Sequence, residues 1–328
     1  MTEKLTVLVA TNGQGIMKST DSGESWLRVG IVQGMHGDAV VRSIASDPSK
    51  PEILYAGTEV GLYRSPDAGK KWNLLDNPIR GSAVWYLLID PTDPKVIYAC
   101  TGTPTPAAIF RSQDEGKSWE KLSVEVAETC PNVGTPRFTG LAIDPIEPNN
   151  LWAGLEVDGV RRSRDGGETW ETVNGAIKNP DVHSITVAAG PPKQVIVVVN
   201  NGIYTSTDDG ITWKSSLAKE DLPMSYPRYI TRKPGDPRTL FLAIGDYTPG
   251  STGTILRSKD AGQSWENLEI SVQPNSSMWA IGTHESNPDL MYAASRYGYI
   301  YRSDDGGDSW QKEWRELSEV MAIAWIPA

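Results

Sequence analysis

Seven stretches of this chain, RSIASDP, WYLLIDP, TGLAIDP, HSITVAAGP, RYITRKP, WAIGTHE and MAIAWIP, can be laid over one another. The overlay puts Arg42, Trp85, Thr139, His183, Arg228, Trp279 and Met321 in one column. A column that only packed a core would be small and aliphatic. This one holds arginines, tryptophans and a histidine, which are costly to bury unless they are paired or wet. Arg42 and Arg228, with Arg296, can fork onto a carboxylate or sulfate. Trp85, Trp279, Tyr86 and Tyr229 offer flat apolar faces, and His183 can exchange a proton near neutral pH. The set suits a small anionic ligand of aromatic or cyclic shape. The expected activity is a cofactor-independent hydrolase or lyase in which His183 works with a carboxylate.

Three carboxylates are placed to serve such a site: Glu59, Glu156 and Asp246. Hydrolysis of a glycoside needs two carboxyl groups flanking the scissile bond. Position favours Glu59 with Glu156, and Asp246 is third. His36 and Tyr297 complete the expected substrate-binding set. Asp38, Arg137, Asp158, Asp181, Asn200, Tyr226 and Tyr247 share the same loops as rim residues.

Other chemistries lack their motifs. There is no G-x-S-x-G elbow, H-E-x-x-H, C-x-x-C or Walker loop. No metal site is assigned, because His36 and His183 have no supporting ligand spacing. Cys100 and Cys130 read as small buried thiols rather than nucleophiles or a disulfide framework. A net charge of −10 weighs against nucleic acid and anionic membranes as partners. No apolar run approaches the ~20 residues of a membrane span. The opening MTEKLTVLVATNGQG has a short apolar core and no basic start. It reads as a strand of a non-secreted protein, so a cytoplasmic location is expected.

The elements that must position these residues come from a repeat. The frame Ser-x-Asp-x-Gly-x-x-Trp occurs seven times, starting at residues 19, 65, 112, 163, 206, 258 and 303, with steps between 43 and 52 residues. That step suits one four-stranded propeller blade. Residues 83–121 show the unit: AVWYLLIDP, KVIYACT, AIFRS and SWEKL read as four strands separated by turn residues. The box sits on the turn between the third and fourth strands. There Asp accepts backbone N–H groups, Gly supplies a positive φ, and Trp covers the blade edge. A structural role explains every residue type in it. A second turn signature, Asp-Pro or a variant of it, follows each of six innermost strands.

The chain starts at a second strand, LTVLVAT, and ends at an innermost strand, EVMAIAWIPA, with no box after it. The prediction is all-β: one domain over 1–328, a single seven-bladed β-propeller of four-stranded antiparallel blades, closed by the C-terminal strand joining the N-terminal blade. The box and Asp-Pro turns then share one face. The loops entering each innermost strand, and those joining second to third strands, share the other, with the column at its mouth.

These boxes resemble those of the Asp-box, or BNR-repeat, propellers, over about residues 5–328. That family includes sialidases, xyloglucan-cleaving glucanases, sortilin-type receptors and a photosystem II assembly factor. The resemblance implies the fold and leaves function broad. Sialidases of the family have six blades, an early Arg-Ile-Pro motif and a Tyr–Glu nucleophile, and the long glucanases have two propellers. No catalytic residues carry over to this chain. Two alternatives stand beside the small-molecule enzyme: a non-catalytic protein-binding scaffold like the assembly factor, and a glycoside hydrolase or carbohydrate-binding propeller.

Overall fold

Second strands such as Leu54–Thr58 and Ile97–Thr101 are buried along their whole length. Their β-branched, aromatic and small residues suit a strand covered on both faces. In the computed structural model, which describes residues 4–328, the strands form seven four-stranded sheets. Met1–Glu3, the start of the MTEKLTVLVATNGQG stretch, lie outside the described residues. The innermost strands of blades 1 to 7 are Val320–Pro327, Val41–Ser46, Val84–Ile89, Phe138–Ile143, Val182–Ala188, Tyr226–Lys233 and Met278–Gly282. Each touches the next around a ring. Apart from single 3-10 turns at Ile31–Gln33 and Lys219–Asp221, the described regular structure is strand. This is the seven-bladed propeller that the repeat predicted. Among the described residues no helix is long and apolar enough to cross a membrane.

Closure is made as expected. Val320–Pro327 pairs antiparallel with Leu5–Thr11, from Leu5 opposite Pro327 to Thr11 opposite Val320. The two ends of the chain therefore complete one blade, which removes a pair of open sheet edges. The apolar core is divided among the seams between blades. Seven clusters lie there, each drawing from two adjacent blades, such as Leu8 and Ile16 with Leu54 and Tyr63 between blades 1 and 2.

The boxes are hydrogen-bonded turns. In the fourth, Ser163 Oγ donates to Asp165 Oδ1 and accepts from the Gly167 N–H, both at 2.8 Å. Asp165 in turn accepts from the Thr169 N–H and hydroxyl, and Trp170 Nε1 donates to Gly167 O. Both central residues have positive φ, 71° at Gly166 and 100° at Gly167. Backbone bonds such as Gly166 N–H to Asn149 O and Glu115 N–H to Lys95 O tie the box to the turn after the innermost strand in blades 2, 3, 4, 6 and 7, so these turns share a face.

The boxes also join blades. In four of the seven boxes the fourth residue offers its carbonyl to an aromatic side chain on the second strand of the preceding blade. Tyr55 donates to Glu115 O, Tyr98 to Gly166 O, Trp152 to Asp209 O and Tyr292 to Ser22 O. Arg111 and Arg162 reach the same carbonyls at Gly166 and Asp209.

Candidate functional site

The column read from the sequence coincides with a backbone irregularity. In each innermost strand the pairing register slips by one residue, and the extra residue is the one in the column. Val41 and Ser43 face Thr58 and Gly57, leaving Arg42 over. Trp85, Thr139, His183, Arg228 and Trp279 are left over in the same way in blades 3 to 7. In blade 1, Ala10 and Thr11 face Ala322 and Val320, which leaves Met321. A β-bulge bends its strand and re-aims the extra side chain. Seven bulges at one level therefore build a ring at the channel mouth.

Within the ring, arginines stand on tryptophans. The guanidinium carbons of Arg42 and Arg137 lie 4.6 and 4.3 Å from the Trp85 ring centroid. Those of Arg228 and Arg296 lie 4.4 and 4.5 Å from that of Trp279. Each such contact is worth ~0.5–2 kcal/mol, more when desolvated. Trp85 is anchored by Nε1 donating to Thr103 O, and Trp279 is buried. The tryptophans, expected as open stacking faces, instead have their π-surfaces occupied by cations. Tyr226 stacks beside Trp279 at 6.4 Å and lies 4.9 Å from His183.

The carboxylates flank these stacks. Glu156 ion-pairs with Arg137, whose Nη2 donates to Oε1 at 2.6 Å. Glu59 accepts from the Val40 N–H and is the acid whose charge acts on Arg42, opposing the lowering of its pKa by burial. Glu59, Arg42, Trp85, Arg137 and Glu156 thus form one group across blades 2 to 4. On the other side, Glu319 pairs with Arg296, which also donates to Val320 O and meets the Met321 sulfur. His183 is buried, with Nδ1 2.7 Å from Pro227 O and Nε2 3.7 Å from Asp181. A carbonyl only accepts, so Nδ1 donates.

Other predicted residues sit apart from this group. Asp246 spends both carboxylate oxygens on Ser251 and Thr252 within its own loop, which also holds its pKa low. Tyr297 and Tyr247 are exposed at the rim, their loops pinned by Ser276 and Ser277. His36 is exposed on the loop before blade 2 and bonds to the ring nowhere among the described residues. Cys100 is buried, and burial pushes its thiol well above the usual range. Among the described residues no group of three or more His, Cys, Asp or Glu side chains could hold a metal ion.

Several buried polar atoms at this end of the channel have no hydrogen-bond partner. They include donors, Arg42 Nε and Nη1 and Arg228 Nε, and acceptors, Asp181 Oδ1 and Asn201 Oδ1. Leaving such an atom unmet costs ~1–3 kcal/mol. The mouth therefore holds both donors and acceptors. Sequence reasoning placed Asp181 and Arg137 only on the rim and did not single out Asn201. Their roles depend on neighbours that are distant in sequence.

A cavity of about 540 Å³ lies beneath the ring, in the channel. Tyr86 and Tyr229, expected at the upper mouth, line this lower space instead, along with Arg232 and the prolines of the turn face. Each follows a bulged residue and so lies one step further down its strand. Burial raises the pKa of both tyrosines.

No family model matches the chain. A xyloglucanase of Hypocrea jecorina (strain QM6a) is 26% identical over 334 aligned residues, covering 85% of this chain and 39% of that protein. An oligoxyloglucan-reducing end-specific xyloglucanase of Emericella nidulans is 24% identical, covering 84% and 40%. Among solved structures, a GH74 enzyme of Niastella koreensis superposes with a TM-score of 0.65 at 23% identity, over 83% of this chain and 45% of that one. YCF48 bound to D1 peptide gives 0.56 at 16% identity, over 84% and 81%. These superpositions establish the fold. The chain spans about two-fifths of the length of these two curated relatives. The comparisons correct one expectation: the relatives act on xyloglucan and its oligosaccharides, so the small anionic or aromatic ligand read from the arginines and aromatics is set aside.

Proposed function

We propose that this propeller is a glycan-acting module that takes a xyloglucan-type oligosaccharide across its ring face and cleaves it as a glycoside hydrolase. The observation that carries this reading is the likeness to xyloglucanases along 85% of the chain. The chemistry of the mouth supports it. The ring face holds unmet donors on Arg42 and Arg228 and unmet acceptors on Asp181 and Asn201. A sugar hydroxyl serves both kinds, whereas an anion only accepts. The arginines, already stacked on Trp85 and Trp279, would present edge N–H groups to hydroxyls. Glu59 and Glu156, on opposite sides of the Trp85 stack, are the carboxylate pair for acid and nucleophile or base roles.

The test is turnover of xyloglucan oligosaccharides, followed by new reducing ends, alongside calorimetric binding. Glu59→Gln or Glu156→Gln should lower turnover about a hundredfold or more with binding changed only a few-fold. If neither cleavage nor binding is seen with the unaltered chain, the proposal fails. A second reading, a peptide-binding scaffold, is favoured by one observation: the chain matches YCF48 over most of both lengths. It predicts no glycan binding at all.

A further inference from the structure

The lower channel contains an arginine that the fold does not need. In RYITRKP, Arg232 takes the position that Ser46, Ile89 and Ile143 hold in blades 2, 3 and 4, and Lys233 takes the position of Asp47, Asp90 and Asp144. Those aspartates cap their turns by accepting from the N–H two residues on. A lysine cannot accept. Blade 6 instead slips its register a second time, between Arg232 and Lys233, and caps the displaced turn with Asp236, which accepts from Arg238 N–H and Thr239 Oγ1. The local fold is thus re-routed around two cations. Arg232 is half-buried in the cavity wall. Among the described residues its guanidinium makes no hydrogen bond and has no carboxylate within 4 Å. Burial lowers its pKa, with Glu285 and Asp144 opposing from further off.

The other charges are mostly accounted for. Lys233 pairs with Asp289 at 2.9 Å, and Asp144 pairs with Lys193 at 2.6 Å. Arg232 and Glu285 remain, one of each sign, so the cavity is near neutral. Around them stand hydroxyls on Tyr86, Tyr229, Thr186 and Thr231, set among apolar Leu88 and Pro145. Hydroxyls both donate and accept, and the apolar wall suits C–H faces. The volume lies in the range of small-molecule pockets, ~300–1,000 Å³.

We propose that the lower channel is a second ligand site, for a neutral mono- or disaccharide, with Arg232 as its anchoring donor. It is separate from the ring above and does not depend on the reading of that ring. The experiment is a titration of the full chain with D-glucose, D-xylose and cellobiose, read by ligand-observed NMR, with a crystal soak to locate the sugar. Binding of at least one sugar is expected, in the channel beneath Tyr86 and Tyr229. Arg232→Met should weaken it about tenfold or more, the scale of losing charged donors. The melting temperature should hold or rise, since blades 3 and 4 carry an isoleucine there. The proposal is overturned if none of the three sugars binds, if Arg232→Met binds them as well as the parent, or if inorganic sulfate occupies the cavity and the sugars do not.

Discussion

At the scale of single residues, the ring shows how a bulge turns a structural position into a chemical one. Arg42 is held by Trp85 and balanced by Glu59, yet its Nε and Nη1 meet no partner. Arg42→Met removes those unmet donors together with the cation–π contact, and the two effects on stability oppose one another. The variant should therefore leave the melting temperature about unchanged, while weakening oligosaccharide binding about tenfold or more. Calorimetry and a thermal melt on one preparation check both halves. A destabilised variant with intact binding would make Arg42 a structural plug. The residue types at the ring were readable because seven equivalent segments could be overlaid. Their pairing was not: Arg42, Trp85 and Arg137 come from three blades, and nothing local in sequence says which cation covers which indole.

At the scale of elements, the box turns carry an acid-sensitive part of the fold. Hydrogen bonds from Ser118, Thr169 and Thr212 hold Asp114, Asp165 and Asp208 down at about 2. These folded-state values lie below the ordinary carboxylate value of ~3.9. Their contribution is therefore present above about pH 4 and is lost as the pH falls towards about 2. The melting temperature should drop across that window, and Asp165→Asn should make the drop shallower. An unchanged slope would show that the box aspartates do not set acid stability. The boxes, their glycines and the strand they precede were all legible, because each residue type answers a local backbone need. What the sequence concealed is that the same turns receive Tyr55, Tyr98, Trp152 and Tyr292 from neighbouring blades. A tyrosine in a buried strand reads as core until its hydroxyl partner is seen. Arg232 was legible in principle, since it breaks the Ser46, Ile89, Ile143 pattern, but reading it needed the channel below the ring as well as its mouth.

At the scale of the molecule, the account depends on a closed ring of blades. The strand Val320–Pro327 supplies the innermost position of blade 1 and seats Ile323 and Trp325 in the blade 7 seam. Removing residues 319–328 should expose the edge of Leu5–Thr11 and open that seam. The shortened chain should form soluble oligomers or aggregates, which size-exclusion chromatography would show as loss of the monomer-sized peak. A monomeric, cooperatively melting truncation would mean that the other blades hold the ring alone. The central claim is that the bulged ring is a glycan site, and it is tested most directly by a crystal structure of the chain soaked with a xyloglucan oligosaccharide. The account predicts sugar hydroxyls within hydrogen-bond distance of Arg42, Arg228 and Asp181, with the chain running between Glu59 and Glu156. An oligosaccharide bound elsewhere on the molecule, with the ring atoms still unmet, would contradict it.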